Sequence, residues 1–200
     1  MGGYSMEIYH DTLECLVAAL EAKDFYTCGH SSRVADMSYD LASSIGITGA
    51  ELEMIHIAAH LHDIGKIGIP DHILNKTNKL TEAEWTYIKK HPEIGYNILT
   101  RSRKLGKIAN IILYHHERWD GKGYGKGLEG LNIPLGSRII CICDAIDAMT
   151  SDRSYRKAMP WHLCRLEIEK NKGLQFDPQL VESLDSLWLN WEYRIRQRCI

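Results

Sequence analysis

The sequence predicts an all-α fold, a single-domain helical bundle with a glycine-rich loop. Three features predict it. Apolar residues recur at spacings of three and four in successive stretches. Residues that start and stop helices stand between those stretches. No Pro, Ser or Gly-rich linker divides the 200 residues, of which 44% are apolar, enough for one buried core.

Met6, Tyr9, Leu13, Leu16 and Leu20 form a stripe on a helix that runs from Met6 to about Lys23. It packs on the core or, in a second reading, forms a short seam toward a sensor domain or a second copy of the chain. The next helix spans Tyr26 to Gly46, with His30 near its start and a glycine suited to ending it. Thr48 with Glu51 reads as a capping box that opens a helix ending at His62-Asp63. Asp71 and Thr81 read as two further caps, the second with Glu84 three residues on. Pro92 suits a first helical turn and puts His91 at the entrance of its helix. Ile108, Ile111 and Ile112 give the following helix a buried face before His115-His116. Arg118 to Gly130 holds five glycines and no stripe, which reads as a functional loop. Ile139, Ile140 and Ile142 mark the helix carrying Asp144, with Asp147 one turn later on the same face. An acid in so apolar a helix needs a partner or a metal. Asn171-Lys172-Gly173 closes another helix. Asp177-Pro178 opens the last one, buried through Leu180, Leu184, Leu187, Trp191 and Ile195.

The chemistry gathers at His60-Leu61-His62-Asp63-Ile64-Gly65-Lys66-Ile67-Gly68. An imidazole stands beside a carboxylate where an apolar helix ends, and a lysine follows. Because the helix is ending, His62 and Asp63 can reach one cation instead of diverging by about 100°. The adjacent His115 and His116 meet the same condition, with glycines soon after. His30, His91 and Asp144 offer further donors. This set exceeds what one tetrahedral zinc needs, and two metals sharing one carboxylate fit it better. Imidazole and carboxylate suit iron, manganese, zinc or nickel, while the lack of thiolate ligands excludes sulfur-loving ions. His56 and His60, one turn apart, have a spacing that can bind zinc in other folds but read here as structural. A metallo-β-lactamase-like HxHxDH pattern fails, because Ile64 and Gly65 stand where it needs Asp and His.

His62-Asp63-Ile64-Gly65-Lys66, His91-Pro92-Glu93-Ile94-Gly95, the run from His115-His116-Glu117 to Gly123-Tyr124, and Asp144-Ala145-Ile146-Asp147-Ala148-Met149-Thr150 follow one another in that order. Together they resemble the motifs of HD-GYP domains, bacterial phosphodiesterases of cyclic di-GMP within the HD superfamily. The resemblance runs from about Tyr26 to Pro178. It implies a catalytic domain over residues 25–200, with residues 1–24 a helix packing on or leading into it. It implies hydrolysis of cyclic di-GMP to linear pGpG and onward to GMP, by a hydroxide bridging two divalent cations, with iron or manganese preferred. By the same resemblance His30, His62, Asp63 and Asp144 would hold one cation and Asp63, His91, His115 and His116 the other, Asp63 bridging. Lys66 would bind phosphate, Arg153 and Arg156 would contact the dinucleotide, and Tyr124 would pack on it. Gly29-His30-Ser31-Ser32-Arg33-Val34 resembles the early metal-binding segment.

Two departures shape the expectations. A trinuclear branch of the family uses a glutamate four residues before the early histidine, where this chain has Tyr26, so two metals are expected. Gly125 stands where the family's naming motif has proline. Glycine gives the loop more conformations, and a Gly125→Pro change is expected to alter apparent affinity by at most about tenfold.

Two other function classes remain in play. One is an HD-superfamily hydrolase of another nucleotide or cyclic dinucleotide, such as cyclic GMP-AMP. The other is a silent module that binds a cyclic dinucleotide or docks a partner, which the full set of ligands opposes. Partners allowed by the resemblance are a cyclic dinucleotide, a sensor or receiver domain, a diguanylate cyclase and a second copy forming a homodimer. The formal charge of −2 gives no basic field for polymeric nucleic acid. No apolar run approaches about 18 residues and no signal peptide is apparent, so a cytoplasmic protein without membrane insertion is expected. Cys15, Cys28, Cys141, Cys143, Cys164 and Cys199 are scattered and read as free thiols in a reducing compartment.

Overall fold

The structure is a computed structural model that describes the backbone of residues 3–24, 29–152 and 157–198, and side chains within those ranges from residue 11 to residue 195. Met6 and Tyr9 of the expected stripe lie outside the described side chains. Tyr26, Cys28, Arg153, Arg156 and Cys199 lie outside the described residues.

Eleven α-helices follow one another among the described residues: α1 (Gly3–Lys23), α2 (His30–Ser44), α3 (Gly49–Leu61), α4 (Asp71–Leu74), α5 (Glu82–Ile88), α6 (His91–Leu99), α7 (Gly106–Leu113), α8 (Leu135–Thr150), α9 (Trp161–Lys170), α10 (Pro178–Ser183) and α11 (Trp188–Arg198). A 3-10 turn at Ile64–Gly68 follows α3 directly. The fold is all-α, with an isolated Lys172 to Phe176 bridge as the sole extended pairing described.

At the centre lies α2, which packs against both α3 and α8. Its apolar face, Val34, Ala35, Leu41 and Ala42, is fully buried. Ile139, Ile140, Ile142 and Ile146 of α8 are buried as completely, each contributing roughly 1.5–3 kcal/mol of burial free energy. α7 packs on α3 and α6, α9 lies on α8, and α10 reaches α2. One apolar cluster runs through these helices, from Leu13 of α1 to Ile195 of α11.

Local signals fared unevenly. Thr81 forms the expected capping box, its hydroxyl accepting from the Glu84 N–H at 3.3 Å while the Thr81 N–H donates to Glu84 Oε2 at 2.7 Å. Asp177 caps α10 by accepting from the Gln179 N–H at 2.9 Å. Thr48 makes no side-chain cap bond, so the capping box expected with Glu51 is absent. Gly49, directly after it, takes φ 62, outside the helical φ that a box needs at that position. Asp71 lies inside the first turn of α4 rather than at its cap, and pairs with Lys23 at 3.3 Å. On α1 the buried residues are Leu13, Val17 and Leu20, while Leu16 is exposed, so the stripe turns about one residue from the expected line. The single last helix expected from Pro178 is broken by a 3-10 turn at Leu184–Ser186.

The end of α1 is fastened to the turn after α3. Lys23 Nζ donates to the Ile67 carbonyl at 2.6 Å, Asn75 donates to the Lys23 carbonyl at 2.9 Å, and Lys66 reaches Asp24 at 3.1 Å. Cys141, Cys143 and Cys164 are buried free thiols and Cys15 is an exposed one. No helix among the described residues is long and apolar enough to cross a membrane.

That turn also touches α6 directly, and Gly65 makes this possible. A Cβ there would overlap the His91 carbonyl oxygen and stand 2.6 Å from the Gly95 amide nitrogen. Both obstacles are backbone, so neither can swing aside. Gly65→Ala is therefore expected to cost about 1–3 kcal/mol, as overpacking does, and to lower Tm by roughly 3–10 °C. Gly106→Ala, whose Cβ meets open space at the start of α7, is expected to leave Tm unchanged or raise it. Thermal melts of both metal-free variants check the contrast, and equal melting would refute the close approach.

Candidate metal centre

Helix ends bring the donors together. His62 is the last α-helical residue position after α3, and Asp63 leaves the helix at φ −95, ψ 3, so two neighbours in sequence face one space. His91 opens α6, His30 opens α2, and His115-His116 follow the Tyr114 cap of α7. Asp144 reaches in from the middle of α8.

All seven residues expected as ligands converge. His30, His62 and Asp144 offer donor atoms within 4.8 Å of one another, as do His91, His115 and His116. Asp63 lies between the two groups. Its Oδ2 is 3.4 Å from His62 Nε2 and 3.8 Å from His30 Nε2, while its Oδ1 is 3.3 Å from His91 Nε2. Asp144 Oδ1 stands 3.4 Å from His30 Nε2.

Hydrogen bonds fix which nitrogen of each ring is available. His62, His91 and His115 each place Nδ1 against the carbonyl three residues earlier, Ala59 at 2.7 Å, Ile88 at 2.8 Å and Ile112 at 2.6 Å. A carbonyl can only accept, so Nδ1 carries the proton and Nε2 keeps its lone pair. His30 places Nδ1 against Asp147 Oδ2 at 2.7 Å with the same result. Burial pushes the pKa of His91 and of His115 down to about 4 and lowers those of His62 and His116, which keeps these rings neutral, the ligand form. Burial also opposes charge on His30, but the Asp147 hydrogen bond and the charges of Asp144, Asp147 and Asp63 outweigh it and raise its pKa.

The nitrogens then face one another. His91 and His115 bring Nε2 atoms within 3.3 Å, and so do His30 and His62. In the neutral pair His91 and His115, two lone pairs at that distance repel unless a cation lies between them. Two nitrogens about 2.1 Å from one ion, at roughly 90–110°, stand about 3.0–3.4 Å apart. The donor set thus fits divalent ions held by imidazole and carboxylate. His56 and His60 form no part of it; their rings meet edge to face, with centroids 4.8 Å apart, on the flank of α3.

Burial opposes the charge on Asp63, but the charges around it, the Lys66 ammonium foremost, outweigh it and hold its pKa well below the ordinary carboxylate range. Lys66 Nζ stands 2.7 Å from Asp63 Oδ2 and 3.1 Å from Asp24 Oδ2. Asp24, at the end of α1, was not anticipated, since nothing in its local sequence marks it as part of a site 40 residues later.

Tyr124 lies on the His116 ring with centroids 4.5 Å apart, and Lys89 Nζ is 5.8 Å from its centroid. The loop that carries it folds back over the peptide of the two histidines. A Cβ at Gly123 would come 2.5 Å from the His116 carbonyl oxygen. Glu117, a second unanticipated residue, is 2% exposed and accepts from the Lys126 N–H through Oε1. A Cβ at Gly125 would stand 2.6 Å from Glu117 Cδ. The mild effect expected for Gly125→Pro considered backbone freedom alone; the space above Gly125 is taken by a buried carboxyl group.

A family model described as HD domain matches residues 14–180. Among curated relatives, a 3'3'-cGAMP-specific phosphodiesterase 2 of Vibrio cholerae is 43% identical over 175 residues, covering 86% of this chain and 34% of its own. A cyclic di-GMP phosphodiesterase of Thermotoga maritima is 42% identical over 177 residues, covering 86% of this chain and 48% of its own. The chain thus spans half or less of the length of these relatives. Among solved structures, the HD domain of the Listeria monocytogenes phosphodiesterase PgpH superposes with a TM-score of 0.67 at 20% identity, covering 90% of this chain and 98% of that one. With the His-Asp pair at the end of α3 and the match over most of its length, the chain belongs to the HD-domain family, as the HD-GYP resemblance of its motifs implied.

Proposed function

We propose that this chain is a metal-dependent phosphodiesterase that hydrolyses cyclic di-GMP to linear pGpG and onward to GMP. The observation that carries this reading is Asp63, whose two oxygens face two separate histidine groups. Two divalent cations bound there would make water nucleophilic at neutral pH and relieve the charge of a phosphodiester. His30, His62, Asp63 and Asp144 would hold one, and Asp63, His91, His115 and His116 the other, with iron or manganese the preferred ions. Lys66 stays cationic because Asp63 and Asp24 outweigh the burial that opposes its charge, so it keeps positive charge beside the phosphate. Tyr124 offers an aromatic face next to His116 for a base or sugar. Arg153 and Arg156 complement the phosphates of the dinucleotide. In this reading residues 25–200 form the catalytic domain and residues 1–24 a helix that packs on or leads into it, with a sensor or receiver domain, a diguanylate cyclase or a second copy of the chain as partners.

The Vibrio relative's name favours a second reading, in which the substrate is cyclic GMP-AMP. Protein purified without oxygen, loaded with iron or manganese and offered each dinucleotide separately separates the two. Faster release of linear product from cyclic di-GMP is the expected result. Faster turnover of cyclic GMP-AMP would move the assignment to that substrate, and protein with two bound metals that cleaves neither would be a binding module.

Asp63→Ala is expected to lose both metals and activity together. Lys66→Ala should keep two metals and lose activity by about ten- to a hundredfold, the worth of one charge-assisted contact. Elemental analysis beside steady-state rates makes the comparison, and equal metal loss in both variants would show that Lys66 has been given the wrong role.

Gly125→Ala is expected to push the Glu117 carboxyl aside and displace Tyr124, raising KM about tenfold with kcat within about threefold. Shortening the acid in Gly125→Ala/Glu117→Asp should recover most of the loss. A double variant no better than the single one would mean that the clash is not the cause.

A further inference from the structure

Among the histidines of the centre, His30 is oriented differently from the rest. His62, His91 and His115 each donate through Nδ1 to the backbone carbonyl three residues earlier. His30 opens α2. Its Nδ1 donates to Asp147 Oδ2 at 2.7 Å, a carboxylate supplied by α8. Asp147 is 1% exposed, and Arg33, one turn after His30, holds both its oxygens, Nε to Oδ1 at 2.5 Å and Nη2 to Oδ2 at 3.1 Å. Arg33 Nη2 also donates to Ser151 at 3.3 Å. A buried carboxylate of this kind is sustained by its paired guanidinium and could be replaced by apolar packing without loss of fold. Its contact with a donor histidine gives it a further task.

We infer that the Arg33–Asp147 pair is a positioning device that sets the tautomer of His30, and that it governs the cation held with His62 and Asp144 while leaving the cation held with His91, His115 and His116 alone. This rests on the two-cation reading above. Among the described residues the second group has no counterpart of the device: its rings lean on backbone carbonyls or, for His116, on the Tyr124 ring.

The consequence of an amide at position 147 follows from donor and acceptor counting. Asn offers one acceptor and one donor group where Asp offers two acceptors. Arg33 presents donors toward both oxygens, and its Nε bond is the shorter, so the Asn oxygen turns to Arg33 and its NH2 turns to His30. The imidazole must then accept through Nδ1 and carry its proton on Nε2, the atom that faces His62 and Asp144. A protonated Nε2 is no ligand. Replacing Arg33 with Met removes the competing donor, and the Asn oxygen can return to His30.

Manganese titration by calorimetry, with elemental analysis of the bound ion and melting of the metal-free proteins, tests this on the whole chain. Wild type is expected to bind two ions, and fewer than two would overturn the two-cation reading itself. Asp147→Asn should weaken one site about a hundredfold, the upper end for residues behind a metal ligand, and leave the other within about threefold. His30→Ala should abolish the same site and His116→Ala the opposite one. Arg33→Met/Asp147→Asn should recover to within about tenfold of wild type, whereas Arg33→Met/Asp147→Leu, with no acceptor for His30, should not. If Asp147→Asn fails to fold, these two doubles, which bury no unpaired charge, decide by the same difference. Two unaltered sites in Asp147→Asn, equal weakening of both, or doubles that bind alike would overturn the inference.

Discussion

A single carboxylate, Asp63, sits where two groups of imidazoles meet, and its burial makes its neighbours obligatory. Burial opposes its charge, which the Lys66 ammonium beside it sustains, while His62, His91 and His30 complete its surroundings. Each of those neighbours depends on a helix end placed correctly. α3 must stop at Leu61 for His62 and Asp63 to face the same way, and the turn that follows must press on α6 for His91 to arrive. Gly65 allows that contact because it has no side chain to hold the backbones apart. The core of α2, α3 and α8 serves as the frame against which those ends are set.

The donors were legible because their chemistry is carried by residue type and order. An apolar run ending in His-Asp, a His-Pro at a helix start and paired histidines before glycines each state a local geometry that the fold preserves. What stayed illegible was every side chain whose role depends on a distant partner. Asp24 meets Lys66, Asp147 meets His30 and Arg33, and Glu117 meets the backbone of Lys126, and no spacing rule announces such meetings. Asp147 came nearest, since an acid on the buried face of α8 demands a partner, yet the demand does not name one. Helix boundaries failed where glycine intervened, as at Thr48, whose box was undone by the φ of Gly49. Leu16 and Val17 traded places because adjacent apolar residues leave the facing of a helix ambiguous by about 100°.

The histidines also divide by how far their orientation is borrowed. Three rings are aimed by the backbone carbonyl three residues earlier, so their direction is set by neighbours in sequence. His30 is aimed by another helix and His116 is covered by a loop, so their direction waits on tertiary structure. The glycines of that loop act through absence. At 123 and 125 a side chain would occupy space already filled by the His116 carbonyl and the Glu117 carboxyl, so bare backbone is what lets the loop lie against the peptide of the two histidines.

The order of donors along the chain is nested. One group is closed between residues 63 and 116, the other between residues 30 and 144, so the second closure encloses the first. The outer closure spans about twice the chain, and each doubling of a loop adds only about 0.6 kcal/mol of closure entropy. The difference between them is therefore topological more than entropic. The inner group takes its donors from the ends of α3, α6 and α7, whereas the outer group takes its donors from α2, the end of α3 and α8. The outer group accordingly depends on α2 and α8 lying against each other, and the inner one on the segment enclosed between them.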